Sequence, residues 1–288
     1  MATILITGSN KGIGMEAALA FGRAGHPVAA TMRNPGQATE LKKIITTENL
    51  PIQVFQLDVD NDTSVGTAID TITKSMGPVD VLVNNAGIER LGSVEEAPIS
   101  HFRAVMETNY FGVIRCTQAI LPSMRKRHSG CIINISSVAG RIASPSMAPY
   151  SASKFALESM SEILAQEVKS FGIRVAIVEP GIIDTQMARH VTVEPGPSSY
   201  AHQKRLSALF TASLKNPVSP TLVADKILDI AINGTTQLRH PVGPDALPFL
   251  GWRQSMSDEA WLSLGALNDD AWYARIKADF GMDARPVV

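Results

Sequence analysis

The chain has 288 residues, 45% hydrophobic, 18% charged and 6% aromatic, enough to bury a full-sized core without covalent staples. Its 26 basic and 27 acidic residues leave a formal net charge of -1, which excludes nucleic-acid or anionic-lipid binding driven by overall charge. Two cysteines, Cys116 and Cys131, are too few for a secreted disulfide framework, no Cys/His cluster has zinc spacing, and no apolar run reaches the ~18 residues of a membrane span.

The first residues, Met1 to Ile6, carry no basic leader, so the expectation is a soluble, cytoplasmic protein with no metal and with neither nucleic acid nor membrane as partner. Short runs rich in Val and Ile, bounded by Gly, Pro, Asn or Asp, predict strands over 3–6, 28–31, 52–57, 79–83, 131–135 and 174–178. They are apolar at consecutive rather than alternate positions, which suits parallel strands buried on both faces. Helical spacing predicts helices over 13–24, 37–47, 63–76, 101–124 and 151–170. Repeated strand–helix alternation implies right-handed βαβ units, and so a single α/β domain (1–288) built on a doubly wound parallel sheet with helices on both faces. The rhythm breaks over 184–220, where Pro195, Pro197, Ser198, Ser199 and Pro217 surround one short helix candidate at 206–214. An insertion this long is expected to be a functional lid. A helix at 221–232 and a strand at 238–242 follow, bringing the expected strands to about seven. The extension over 244–288 holds all three tryptophans, Trp252, Trp261 and Trp272, and is expected to pack on the body or on another subunit.

Directly after the first strand stands Thr7-Gly8-Ser9-Asn10-Lys11-Gly12-Ile13-Gly14, opening the first helix. Glycines there let the backbone turn sharply and approach a pyrophosphate, which sits against free N–H groups at the positive end of the helix. The spacing is G-x-x-x-G-x-G rather than G-x-G-x-x-G, so the turn by itself is also compatible with a structural role. The second strand ends in Met32 and Arg33, where an NAD-binding chain usually carries an acid for the ribose 2′-hydroxyl. Arg33, with Lys11 in the glycine turn, suits a 2′-phosphate instead. A charge-assisted contact of about 1.5–3 kcal/mol corresponds to roughly 10- to 100-fold preference for NADP(H). The other reading of both cations is solvated surface charge. Further on, Tyr150-Ser151-Ala152-Ser153-Lys154 puts Tyr150 and Lys154 four apart on one helix face. A phenol of ordinary pKa, about 10, is a poor base at neutral pH, and a nearby ammonium is expected to lower it. Alone, such a pair is more often structural.

Other motifs stand in a fixed order with these: Asp58-Val59 after the third strand, Asn84-Asn85-Ala86-Gly87 after the fourth, Asn109 in the following helix, Ser136-Ser137 after the fifth, and Pro180-Gly181 through Thr185 after the sixth. On these residues the chain, from Thr3 to about Val242, resembles the short-chain dehydrogenase/reductase family. The resemblance implies a Rossmann-like fold and an NADP-dependent oxidoreductase that moves a hydride between the nicotinamide and a CH–OH/C=O pair. It implies Tyr150 as catalytic acid/base, Lys154 as the group that lowers its pKa and binds the nicotinamide ribose, and Ser137, 13 residues before Tyr150, as the group orienting the substrate oxygen. Asn109 is then expected to position the lysine and a proton-relaying water chain. The implied cofactor contacts are Gly8, Ser9, Asn10, Lys11, Gly12, Ile13 and Gly14 at the diphosphate, Arg33 at the 2′-phosphate, and Asp58 and Val59 at the adenine. Asn85, Ala86 and Gly87 are expected along the adenosine and ribose, and Pro180, Gly181, Ile183 and Thr185 around the nicotinamide. Asn84 and Ser136 are expected to be structural.

Loops at the strands' carboxyl ends should set specificity. Leu91, Ile142, Ala143, Met147, Ile182, Met187, Leu206, Leu209 and Phe210 predict an apolar pocket for a small hydrophobic ketone, aldehyde or secondary alcohol. Arg189, His190, His202, Lys204 and Arg205 read as a solvated lid face, the other reading being a grip on an anionic substrate tail. Small residues on two long helices, Ala104, Gly112, Ala119, Ala156 and Ala165, fit the four-helix subunit interface that the resemblance implies, and so a homodimer or homotetramer. A non-catalytic NADP(H)-binding sensor or scaffold is the alternative; the joint presence of Asn109, Ser137, Tyr150 and Lys154 favours the enzyme.

Overall fold

The computed structural model describes residues 1–193 and 196–286. Pro195 of the expected insertion, with its neighbour Glu194, and the final Val287 and Val288 of the expected extension lie outside the described residues.

Seven strands form one parallel sheet: β1 (Ile4–Thr7), β2 (Val28–Met32), β3 (Ile52–Gln56), β4 (Val81–Asn84), β5 (Gly130–Ile135), β6 (Ile173–Pro180) and β7 (Arg239–Val242). Their order is β3-β2-β1-β4-β5-β6-β7, with every pairing parallel. This is the Rossmann-like, doubly wound sheet that the apolar runs predicted. Every residue of β1, β2 and β4 is buried, whereas edge strand β3 is partly exposed. The winding direction reverses between β1 and β4, which opens a crevice at their carboxyl ends. β6 runs two residues past its expected end, because β7 pairs with it as far as Pro180 and Val242.

Helices α1 (Gly12–Arg23) and α2 (Thr39–Glu48) cover one face. α3 (Asp62–Met76), α4 (Ile99–Met106), α5 (Gly112–Arg127) and α6 (Ala148–Glu167) precede the insertion. α7 (Gln186–Val191), α8 (His202–Ser213) and α9 (Thr221–Asn233) follow β6, and α10 (Ala246–Gln254), α11 (Asp258–Ser263) and α12 (Asp269–Phe280) follow β7. Phe21, Leu19, Leu41 and Ile227 fill the core on the side of α1, α2 and α9; Ile72, Ile120, Met124 and Leu164 fill the opposite side. No helix among the described residues is long and apolar enough to cross a membrane.

Two expectations change. The helix expected over 101–124 is two helices, α4 and α5, joined by a π-helical turn at Glu107–Phe111. The widened turn carries Asn109, 1% exposed, into the protein, and helical periodicity does not announce it. Gly112, expected at a subunit interface, packs inward: a Cβ there would stand 2.8 Å from Val59 Cγ2. The tail, for which only packing was expected, folds into three helices. Phe249 and Leu250 of α10, Trp261 of α11 and Phe280 of α12 join Ile142, Ile182, Val138 and Phe210 in one apolar cluster. Tyr273 and Ile276 of α12 form another with Leu209 and Ala212 of α8.

Candidate active site

The turn after β1 is held in shape by β4. Thr7 Oγ1 accepts hydrogen bonds from the backbone of Asn85 and Ala86, both at 3.0 Å. The Asn85 amide donates back to the carbonyls of Thr7 at 2.9 Å and Gly8 at 3.0 Å. Asn85, expected along the adenosine, therefore commits its amide to bracing the turn. Gly8 and Gly12 have φ of +70° and +56°, a backbone region that disfavours a side chain. A Cβ on Gly14 would collide with the Asn85 amide and the Gly8 carbonyl. The N-cap of α1, Lys11, makes no side-chain cap bond, and no acid lies in the first turn. Bare glycine backbone facing an uncapped, electropositive helix end fits a dinucleotide's diphosphate.

The neighbouring positions complete this cradle unevenly. Thr185 caps α7 through Ala188 N at 3.2 Å, and its Cγ2 would lie 3.5 Å from a Cβ on Gly12, so Thr185 closes the far side of the turn. Lys11 donates to Gln186 of α7 rather than standing free. Arg33, at the end of β2, is exposed and makes no hydrogen bond or ion pair among the described residues. Asp58 follows β3, half-buried, and its Oδ1 accepts from Asp60 N at 3.2 Å. Val59 is buried beneath Gly112. Asn84 lies below the surface, donating to Asn134 Oδ1 at 2.9 Å, and Asn134 donates to Ser161 Oγ at 2.8 Å. This ladder joins β4, β5 and α6, in keeping with a structural Asn84.

A second group of side chains meets at the ends of β5 and β6. Ser137 caps the short turn Val138–Gly140, accepting from Ala139 N at 3.1 Å and donating to Pro180 O at 3.5 Å. Tyr150 lies in the first turn of α6, and the Ser137 hydroxyl is near enough to act on its phenol. Lys154 is 5% exposed; its Nζ donates to Ile135 O at 2.7 Å and stands 5.7 Å from the centre of the Tyr150 ring. No hydrogen bond joins Asn109 to Lys154 among the described residues. The Asn109 amide bonds both backbone groups of Ile88 at 2.9 Å and donates to Ser153 Oγ at 3.1 Å, and Ser153 donates to Tyr150 O at 2.7 Å.

Burial acts on both members of the pair. Burial pushes the Tyr150 phenol up to about 12, opposed by the nearby Ser137 hydroxyl, with Glu89 adding to the rise. Burial pushes Lys154 down to about 8, opposed by Glu158. The Lys154 ammonium bonds the Ile135 carbonyl at 2.7 Å, so burial governs the phenol.

A family model for the short chain dehydrogenase matches residues 2–196. The chain belongs to that family. It is 35% identical over 270 residues to the oxidoreductase YusZ of Bacillus subtilis (strain 168), covering 90% of this chain and 95% of that protein. It is 36% identical over 246 residues to a 3-ketodihydrosphingosine reductase of Bacteroides thetaiotaomicron, covering 84% and 87%. A short-chain dehydrogenase from Streptomyces avermitilis shares the fold at a TM-score of 0.80 and 33% identity, over 91% of this chain and 94% of that one. A gluconate 5-dehydrogenase from Burkholderia cenocepacia J2315, solved with NADP and tartrate, matches at 0.74 and 25%, over 85% and 95%.

In this short-chain dehydrogenase several residues around the site were not singled out from sequence. Glu89, 14% exposed, pairs with His190 Nδ1 of α7 at 2.6 Å and acts on Tyr150 through its charge. Asp245 Oδ2 accepts from Ile182 N at 2.8 Å, and its carboxylate packs where a Cβ on Gly181 would be. A carboxylate just after Gly-Pro gives no sequence signal of its own. The cations of 184–220 are mostly committed within the chain. Arg189 is bidentate to Asp184 at 2.6 and 2.8 Å, and His202 faces Gly265 O at 3.2 Å. Arg205, expected on a solvated face, is 5% exposed and bonded to Asp269 and Leu267 O, each at 2.8 Å; Lys204 remains exposed.

Proposed function

We propose that this short-chain dehydrogenase is an NADP(H)-dependent oxidoreductase acting on a hydrophobic ketone, aldehyde or secondary alcohol. The observation that carries the reading is the meeting of Ser137, Tyr150 and buried Lys154 at the strands' carboxyl ends, beside the glycine cradle. Exposed Arg33, with Met32 rather than an acid at the end of β2, supports the 2′-phosphate of NADP(H), as does the NADP bound by the gluconate 5-dehydrogenase relative. Bound NADP(H) supplies the hydride chemistry. Gly8 to Gly14 would hold its diphosphate, Asp58 and Val59 would border the adenine, Ala86 and Gly87 would line the adenosine and its ribose, and Pro180, Gly181, Ile183 and Thr185 would back the nicotinamide.

Ser137 and Tyr150 point hydroxyl groups at one place, where a substrate oxygen gains charge during reduction. Tyr150 donates its proton to that oxygen, or takes one from an alcohol in the reverse direction. Lys154 stabilises the phenolate left behind, and Asn109 fixes the start of α6 through Ser153 and Tyr150 O. Ile142, Ile182 and Phe210 gather with Trp261 into an apolar wall beside these groups, which supports a hydrophobic substrate. The 3-ketodihydrosphingosine reductase relative supports the same class. In this reading 184–220 is the substrate lid and 244–288 an extension that backs it. Phe111 on the π-helical turn and Phe155 and Ile163 on α6, all exposed, support a homodimer or homotetramer. Two free, buried cysteines, with thiols pushed up by burial, support a cytoplasmic protein.

The test is oxidation of NADPH over a panel of aldehydes, aliphatic and aryl ketones and steroids, with NADH in parallel and Tyr150→Phe as control. Turnover that the variant loses supports the reading. Tight NADPH binding with no turnover across the panel favours the sensor or scaffold, and preference for NADH removes Arg33 from its role.

A further inference from the structure

Charged side chains from four elements meet behind Lys154. Glu158 stands one helical turn beyond Lys154 on α6, 5% exposed, and its Oε2 accepts from Arg239 Nε of β7 at 2.9 Å. Glu179 is the residue of β6 just before Pro180 and is fully buried. It accepts from Arg141 Nη1 at 3.3 Å and lies 4.0 Å from Arg239 Nε. Arg239 Nη2 also reaches Glu162, on the exposed side of α6, at 2.7 Å. Glu158 Oε1 and Glu179 Oε2 are both buried without a hydrogen-bond partner among the described residues. The turn after Ser137 closes over this group at Gly140, where a Cβ would stand 3.0 Å from Glu158 Cγ and 2.7 Å from Ser136 Oγ.

Burying a carboxylate is unfavourable, and an apolar residue of similar volume would often serve stability as well or better. The position of Glu158 offers another reason for keeping one. Residues four apart on a helix share a face, so its charge acts on Lys154. We propose that Glu158 is a positioning residue for Lys154: its buried carboxylate, fixed by Arg239, holds the ammonium charged and in place beside Tyr150. The proposal rests on the role given to Lys154 under the proposed function.

The charged and titratable groups facing this pair are Tyr150 and Glu162 on α6, Arg141 in the turn after β5, Glu179 on β6 and Arg239 on β7, with Glu89 across the site at Tyr150. Glu158 is the group that opposes the downward push of burial on Lys154. Without that carboxylate the ammonium loses its proton at lower pH, and the alkaline limb of carbonyl reduction falls earlier.

The experiment follows the Lys154 13Cε resonance through a pH titration of the protein without cofactor, assigned with Lys154→Arg, beside the pH profile of kcat/KM. Glu158→Gln is expected to move the Lys154 midpoint, and with it the alkaline limb, down by about one pH unit. Glu179→Gln is expected to leave both in place. Glu158→Met serves if the Gln variant does not fold, because it keeps the volume and removes the charge. An unchanged Lys154 midpoint in a folded Glu158 variant, or an equal shift from Glu179→Gln, overturns the proposal. A wild-type protein without turnover removes the functional reading, yet the resonance midpoint still decides the role of Glu158.

Discussion

The turn after β1 and the tail after β7 flank the same working end of the sheet by opposite physical means. The turn is nearly all backbone: two glycines at positive φ, an uncapped helix end, and Asn85 and Thr7 tying it to β4. The tail is nearly all side chain. Trp252 meets Trp261 and Phe280 edge-on at 5.0 and 5.1 Å, Phe249 meets Phe280 at 4.8 Å, and the Trp261 indole donates to Ala143 O at 3.2 Å. A diphosphate is the same in every cofactor molecule and can be met by fixed backbone groups. An apolar substrate wall tolerates exchange of one large side chain for another, as apolar packing generally does. One region is therefore brittle to a single methyl group and the other adjustable.

That contrast can be broken at several points. Tyr150→Phe, which touches neither region, is expected to lower kcat by about 100- to 10,000-fold while NADPH fluorescence titration gives an almost unchanged Kd. Arg33→Ala is expected to reduce the preference for NADPH over NADH by roughly 10- to 100-fold in kcat/KM, without moving Tm. If the brittleness of the turn is real, Gly14→Ala lowers stability by about 1–3 kcal/mol in thermal or denaturant unfolding and removes the stabilisation added by NADPH. Trp261→Ala should lose a comparable about 1–3 kcal/mol or less, but raise KM for apolar carbonyls and leave NADPH binding alone. Loss of NADPH binding in that variant would end the comparison. The smallest effect is expected of Glu89→Gln. Glu89 raises the Tyr150 phenol, so its neutralisation lowers that pKa, and the rising limb of alcohol oxidation moves to lower pH by less than about one unit.

Much of the fold was legible because parallel strands buried on both faces show as unbroken Val/Ile runs, and because glycine positions in the β1 turn follow from backbone geometry. Helical spacing put Tyr150 and Lys154 on one face, but only the resemblance gave the pair a role. The same rule points from Lys154 to Glu158, and Glu179 stands as a lone acid in an apolar strand, but neither carries a motif. The π-turn at Glu107–Phe111 was illegible, since its one extra residue leaves the apolar pattern on either side nearly unchanged. The tail helices α11 and α12 begin at the capping residues Ser257 and Asn268, signals present in the sequence, yet their partners lie on α8 and in the turn after β5.

The sequence by itself determined the sheet, its parallel winding and the glycine turn, because each depends on local periodicity or on the conformational freedom of single residues, while the order of its motifs carried the family resemblance. Only the tertiary structure decided that Arg205 is buried, that Asn85 braces the turn, that Lys154 bonds Ile135 O and that two orphaned carboxylate oxygens lie behind it. Those outcomes depend on which distant side chains share a low-dielectric space. Burial and charge at a given point are sums over neighbours that the chain brings together only when folded.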